Sequence, residues 1–495
     1  MENNPKPGQQ NNDHYQHTLS KWICDQKAAN EFIDIIGRLW FDKDVELIFL
    51  RRQLLDRGAN SILHKHSYAE NILQKQLTIQ DSLAIAKAML QLDLAPARID
   101  IGRLNQEWVD DRKEFGGDIK RFLLHKLDYI VNVPPRSSIT KDVILYGFGR
   151  IGRLLAREIV HSSGRGSQLR LRAIVTRGNS AEDIRKRASL FRKDSVHSYF
   201  HGIAIENVDD KSLYINGHVV HMLSASNPDE LNYEDYGIKD ALLIDNTGVY
   251  RDRENLTRHL KCRGVDKVLL TAPGKGDIPN IVYGVNQETC NLSPGGEKIF
   301  SAASCTTNAV VPVLQVMENE FGIVKGHIET IHSYTNDQNL LDNYHKKSRR
   351  GRAAPMNMVI TETGAASASS KAIPSLKGKL TANAVRVPTP NISLAILMLN
   401  LAKPTSVEEV NQVMRRASLK GNLIEQIRYS TSNELVSSDC TGDSCACVFD
   451  SPATLMSDDK QNVVLYAWYD NEYGYTCQVV RLAKHISQVK SYRYY

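Results

Sequence analysis

"DVILYGFGRIGRLLAREIV", residues 142–160, carries the strongest architectural signal in the chain. A strand-like apolar run leads into Gly147, Gly149 and Gly152, spaced G-x-G-x-x-G, and apolar residues at helical spacing follow. The glycines let the chain turn tightly and let backbone approach a pyrophosphate, whose charge rests on the free N–H groups of a helix N-terminus. Glycine spacing alone fits any strand-turn-helix, but the flanking strand and helix point to a dinucleotide site in a doubly wound parallel sheet. The next strand-like stretch, "LRLRAIVTRG", ends in Thr176-Arg177 where an acidic residue would hold the adenine-side ribose of NAD. A hydroxyl and a guanidinium suit a 2′-phosphate, so the expected cofactor is NAD or NADP; the alternative is that Arg177 points to solvent.

On the N-terminal side the character changes. "NVPPRSSITK", residues 132–141, reads as a linker. Before it the chain has few glycines and repeated helical spacing; in "TIQDSLAIAKAMLQLDLAP" Thr78 is a candidate N-cap, Leu83, Ala86 and Leu90 share a face, and Pro96 follows the end. The Asn- and Gln-rich first 20 or so residues are expected to be disordered. The expected fold is α/β: an all-helical N-terminal extension over 1–137, a Rossmann-type dinucleotide domain over 138–303, an α+β catalytic domain over 304–460, and a C-terminal segment, 461–495, returning to the dinucleotide domain.

Composition narrows the function. Of 495 residues 42% are hydrophobic and 24% charged, ordinary for a soluble protein, and no apolar run approaches a membrane span, so no membrane partner is expected. Residues 1–137 carry 19 Lys/Arg against 19 Asp/Glu, which argues against a nucleic-acid-binding arm. The start lacks a basic segment followed by an apolar one, and the expected location is cytoplasmic. Eight cysteines in so long a chain are no disulfide framework. "CTGDSCAC", residues 440–447, has no evident fourth ligand, so no metal is expected; Cys24, Cys262, Cys290 and Cys477 read as packing residues.

"SAASCTTNAVVPVLQVMENEFG", residues 301–322, places Cys305 at the mouth of a helix, where free N–H groups favour a thiolate. His332 in "IETIHSYTNDQ" lies 27 positions on, a separation that a helix and a returning strand span. A Cys/His pair is then geometrically open, with the imidazole moving protons; the alternative is a buried thiol and a satisfied core histidine.

"YGFGRIGR", "SAASCTTN", "HSYTNDQ", "RRGRAAPMNMVITETGAA", "GKLTANAVRVPTPN" and "WYDNEYGY" resemble, in order and approximate spacing, the motifs of glyceraldehyde-3-phosphate dehydrogenase over roughly residues 140–488. The helical region resembles the extension of the family's longer bacterial members. The resemblance implies that Cys305 attacks the substrate aldehyde with His332 as base, giving a thiohemiacetal and then a thioester that inorganic phosphate cleaves. It implies Thr335 and Arg386 at the substrate phosphate, and Ser304, Thr306, Thr363 and Gly364 at the attacking phosphate with Arg350 or Arg352 nearby. On the cofactor side it implies Arg150 and Ile151 at the glycine turn, Thr271 near a ribose and Asn471 at the nicotinamide carboxamide. Ser226-Asn227-Pro228 departs from the family, which often has arginine there. The partners implied are a phosphorylated aldehyde, phosphate and three further copies of the chain in a homotetramer. Two rivals remain: an erythrose-4-phosphate dehydrogenase, which releases its acyl group to water, and an interaction protein acting through the extension.

Overall fold

The strand Lys141–Tyr146 is buried at every position after Lys141, as a strand covered on both faces must be. It lies near the centre of an eight-stranded sheet in the order Ile299–Ser301, Val265–Leu270, Ala241–Asp245, Lys141–Tyr146, Leu169–Thr176, His218–Ser224, Ser212–Ile215, Ala204–Asn207. The first six are parallel and the last two antiparallel. This is the doubly wound sheet that the glycine motif predicts. The computed structural model describes residues 7–135, 140–164 and 166–495, so the expected boundary at 137/138 lies outside the described residues. The chain divides into one unit of residues 139–489 and another of residues 1–138 with 490–495.

In the larger unit a second sheet runs Val359–Thr361, Leu380–Val387, Ile323–Ser333, Ser393–Leu401, Asn462–Tyr469, Cys447–Asp450, Ile427–Ser430, with Leu455–Met456 paired beside Asn462–Tyr469. The helix Cys305–Phe321 packs on it through Val310, Val313, Leu314 and Met317. The strand Asn462–Tyr469 is internal to this sheet, so the catalytic fold runs past 460 and the segment read as starting at 461 begins inside it. The helix Tyr473–Ile486 then lays Val479, Leu482 and Ile486 into the core of the first sheet, beside the helix Arg150–His161.

The smaller unit corrects two expectations. Residues 7–20, expected to be disordered, belong to the helix Pro7–Lys43, which extends outward from a buried face of Ala29, Phe32, Ile36 and Leu39. The extension is helix-rich but not purely helical, because it carries a four-stranded sheet in the order Arg52–Gln53, Val45–Phe49, Ala97–Asp100, Tyr492–Tyr494. The last of these comes from the end of the chain and pairs in parallel with Ala97–Asp100. The hairpin turn holds Leu50 and Arg51 at φ 44° and 67°, with the buried Asp100 carboxylate accepting both N–H groups at 2.8 and 3.0 Å. Thr78 caps the helix Ile79–Leu90 as its sequence indicates. Cys24, read as a packing residue, is exposed.

Candidate active site

Cys305 opens the helix Cys305–Phe321, and Ser304 caps it by accepting the Thr307 N–H at 3.0 Å. Asn308 Nδ2 donates to the carbonyls of Ala302 and Ser304 at 2.8 and 2.9 Å, and Tyr475 Oη donates to that of Ala303 at 2.9 Å. These bonds hold Ala303 at φ 56°, a left-handed conformation that costs a non-glycine residue about 1–3 kcal/mol. Much of the hydroxyl-rich run therefore fixes the turn that presents the sulfur. Thr306 is buried with Oγ1 2.9 Å from Tyr469 Oη, which also lies 2.7 Å from Thr330 Oγ1; its hydroxyl is held on this tyrosine and favours the ionised form of the Cys305 sulfur.

The sulfur of Cys305 lies 3.6 Å from His332 Nε2. His332 is next to last in its strand and stands beside Arg386 in the parallel register of Ile323–Ser333 with Leu380–Val387. His332 Nδ1 is 2.7 Å from the Ser333 carbonyl, and Arg386 Nη1 lies 2.8 Å from both that carbonyl and Nδ1. The ring nitrogen cannot donate to the carbonyl and accept from the guanidinium at once. The carbonyl bond assigns the proton to Nδ1, which leaves the Nε2 lone pair facing the sulfur. Burial first, then the Arg386 charge, pushes the imidazole down to about 3.

The thiol departs from its expected electrostatics. Burial raises it above the ordinary thiol range, against the pull of Arg386 and of the Thr306 and Cys305 N–H groups at the helix start. The helix terminus acts in the expected direction, but desolvation outweighs it. At neutral pH the resting pair is a thiol and a neutral imidazole, poised for proton transfer from sulfur to Nε2 during attack rather than before it.

A polar chain runs outward from this pair. Arg386 Nη1 donates to Thr335 Oγ1 at 3.3 Å, Thr335 hydrogen-bonds Asp337, and Asp337 pairs with Arg350, whose guanidinium also donates twice to Thr361 Oγ1 at 3.1 and 3.0 Å. Arg350, with Lys347, Thr361, Thr363 and Asn383, lines a groove beside the strand Val359–Thr361. Arg352 instead pairs with Asp342, both side chains more than half exposed. The geometry thus separates two arginines that spacing leaves equivalent. Thr363 Oγ1 accepts the Ala365 N–H at 3.3 Å, and Gly364 starts the helix Ala365–Ala372 without a side-chain cap. Asp337, Thr361 and Tyr469 escape the sequence reading, although "HSYTNDQ", "RRGRAAPMNMVITETGAA" and "WYDNEYGY" contain them.

The glycine turn fits a dinucleotide. Gly147 adopts φ 97°, a Cβ on Gly152 would lie 2.4 Å from the Gly147 carbonyl oxygen, and a Cβ on Gly149 would meet nothing within 4 Å. The helix Arg150–His161 has no side-chain cap, so its first N–H groups are available to an anion. Asn246 Oδ1, at the end of the neighbouring strand, is buried without a hydrogen-bond partner. Arg150 is held by Glu472 through two 2.5 Å contacts, Ile151 packs on the sheet's core, and the Thr271 hydroxyl donates to the Asp245 carbonyl at 3.1 Å. Thr176 Oγ1 donates to the Gly178 carbonyl at 2.8 Å and Arg177 is exposed. Asn471 is buried, its Oδ1 accepting from Ser393 Oγ at 3.0 Å.

Residues 141–253 match the family model described as glyceraldehyde 3-phosphate dehydrogenase, NAD binding domain, and residues 304–471 match its C-terminal domain. A relative in Pseudomonas aeruginosa (strain UCBPP-PA14), a glyceraldehyde-3-phosphate dehydrogenase-like protein, is 47% identical over 462 residues, 92% of this chain and 98% of the relative. The chain belongs to the glyceraldehyde-3-phosphate dehydrogenase family. Glyceraldehyde-3-phosphate dehydrogenase 2 of Bacillus subtilis (strain 168) is 38% identical over 345 residues, 70% of this chain and 96% of the relative. The chloroplastic glyceraldehyde-3-phosphate dehydrogenase A of Zea mays is 45% identical over 280 residues, 56% of this chain and 67% of the relative. The Pseudomonas alignment is longer than the 139–489 unit, so that relative shares part of the extension.

Proposed function

We propose that the chain oxidises glyceraldehyde 3-phosphate, with inorganic phosphate, to 1,3-bisphosphoglycerate, and that the reaction runs in either direction. The observation that carries this reading is the Cys305–His332 pair at 3.6 Å with Arg386 behind it. Cys305 adds to the aldehyde carbon as its proton passes to His332 Nε2 and from there to the new alkoxide oxygen, forming a thiohemiacetal on sulfur and leaving the imidazole neutral. His332 takes the hydroxyl proton as the C–H bond breaks, leaving a thioester. NAD, when bound, supplies the hydride acceptor for that step. Thr335 and Arg386 bind the substrate phosphate. Ser304, Thr363, Gly364 and Arg350 bind the attacking phosphate, which displaces the thiolate and carries the acyl group away; Thr306 contributes its backbone N–H rather than its hydroxyl.

Gly147, Gly149, Arg150, Ile151 and Gly152 would hold the pyrophosphate through backbone, with Thr271 near the ribose and Asn471 at the carboxamide. NADP is accepted beside NAD, because exposed Arg177 is free to approach a 2′-phosphate while the Thr176 hydroxyl stays on Gly178. A homotetramer suits the loop that exposes Leu340, Leu341, Tyr344, Met356 and Met358 by 73–87%.

Initial rates of NADH formation against phosphate concentration test the reading. Saturable dependence is expected, with Arg350→Ala raising the phosphate KM about tenfold or more, the scale of a lost charge-assisted contact. Rates indifferent to phosphate would favour hydrolytic release and the erythrose-4-phosphate reading.

A further inference from the structure

His197 follows the short strand Lys193–Asp194 and is not part of the glycine turn, the thiol pair or the anion groove. Its side chain is 5% exposed and sits among three carboxylates. Nε2 is 3.2 Å from Asp470 Oδ2, and Nδ1 is 3.6 Å from both Asp194 and Glu472. Asn391 Nδ2 lies 3.2 Å from the same Nε2 and donates to Asp470 Oδ1 at 3.0 Å.

What this contact restrains is the turn 470–472. Asp470 Oδ1 accepts the N–H groups of Glu472 and Tyr473 at 3.0 and 2.8 Å, while Oδ2 accepts that of Gly442 at 2.8 Å. Glu472 is clamped by Arg150, from the first turn of the helix that follows the glycine motif. Asn471 therefore sits between two anchored acids; His197 hydrogen-bonds the first through Nε2, and its Nδ1 lies buried 3.6 Å from the second without a hydrogen-bond partner. The His197 contact on Asp470 comes from the segment that also pairs, through Asp194, with Arg150 and Arg153.

We propose that His197 is a positioning residue for the nicotinamide end of the cofactor, fixing the Asp470–Glu472 turn so that the Asn471 amide meets the carboxamide. This rests on the reading of Asn471 given above. NAD and ADP-ribose, which lacks the nicotinamide, share every contact except those at that end.

Dissociation constants for both ligands, measured by calorimetry on the full-length protein, separate positioning from bulk stability. His197→Leu is expected to weaken NAD about tenfold relative to ADP-ribose, the scale of one hydrogen bond to a charged group, and His197→Gln to recover most of the loss. Equal loss of both ligands in both variants, or no loss of either, overturns the proposal. Asn471→Ala is measured alongside. If it too leaves the NAD to ADP-ribose ratio unchanged, the carboxamide reading itself falls; if it lowers the ratio while His197→Leu does not, only the role of His197 is lost.

Discussion

At Cys305 two opposing effects can be weighed by experiment. Desolvation pushes the thiol up, while Arg386 and the helix-start N–H groups pull it down. Because desolvation wins, alkylation of the ligand-free protein by iodoacetamide should keep accelerating above the ordinary thiol range of about 8.5; a plateau near neutrality would contradict this. Cys305→Ser should abolish the burst of acyl-enzyme while leaving NAD binding within about twofold, because a hydroxyl does not ionise usefully near neutral pH. For His332 the sign is equally definite. Its folded value of about 3 lies below the unfolded value near 6.5, so the folded state binds fewer protons between them. Stability tied to the neutral ring is complete above about pH 6.5 and is lost as pH falls toward 3. The unfolding free energy of His332→Gln, from urea titrations, should therefore fall less steeply than that of the parent between pH 6.5 and 4, by an amount on the order of a few kcal/mol over the full window. The sulfur and the imidazole were legible because their motif neighbours are local in sequence. Tyr469 was not, since its hydroxyl partners Thr306 and Thr330 lie 163 and 139 positions away and nothing in a linear reading joins them.

Elements with a complete local signature could be read, and those assembled from distant pieces could not. The glycine turn belongs to the first kind, and its geometry makes a sharp prediction. A methyl group on Gly152 would lie 2.4 Å from the Gly147 carbonyl oxygen, inside any real contact, so Gly152→Ala must push the helix Arg150–His161 away from the strand Lys141–Tyr146. NAD affinity should fall at least tenfold, with melting lowered as well; an unchanged dissociation constant would mean that the pyrophosphate does not use this turn. Gly149, where a Cβ meets nothing, should tolerate alanine structurally, so any loss of NAD affinity there reports on the ligand's approach alone. The sheet of the extension belongs to the second kind. "VELIF" and "ARID" are too short, and too interrupted by Glu46, Arg98 and Asp100, for periodicity to mark them as strands, and their remaining neighbour arrives from residues 492–494. Likewise, Arg350 and Arg352 lie two positions apart in sequence, and only the fold of the loop turns one to Asp337 and the other to Asp342.

For the molecule as a whole, the path of the chain sets how the extension can be tested. The Tyr492–Tyr494 strand is built into the extension: it pairs with Ala97–Asp100, Tyr494 Oη donates to Glu107 Oε2 at 2.5 Å, and the Arg103 guanidinium lies 4.8 Å from the Tyr494 ring centre. Removing residues 1–138 alone would leave these tyrosines without partners on a free strand, an edge prone to association. Loss of soluble protein in that truncation would therefore say nothing about catalysis. Removing residues 490–495 as well should restore solubility, because the helix Tyr473–Ile486 keeps its packing on the first sheet. The double truncation retains Cys305, His332, Arg386, Arg350 and the glycine turn, all within 139–489. Its kcat/KM for the aldehyde should stay within about threefold of the full chain, less than 1 kcal/mol of transition-state stabilisation. A fall of a hundredfold or more in soluble, folded double truncation would place a catalytic requirement in the extension. Unchanged kinetics together with an altered oligomer size by light scattering would instead make the extension an assembly or docking element, the one role in which the interaction-protein reading survives.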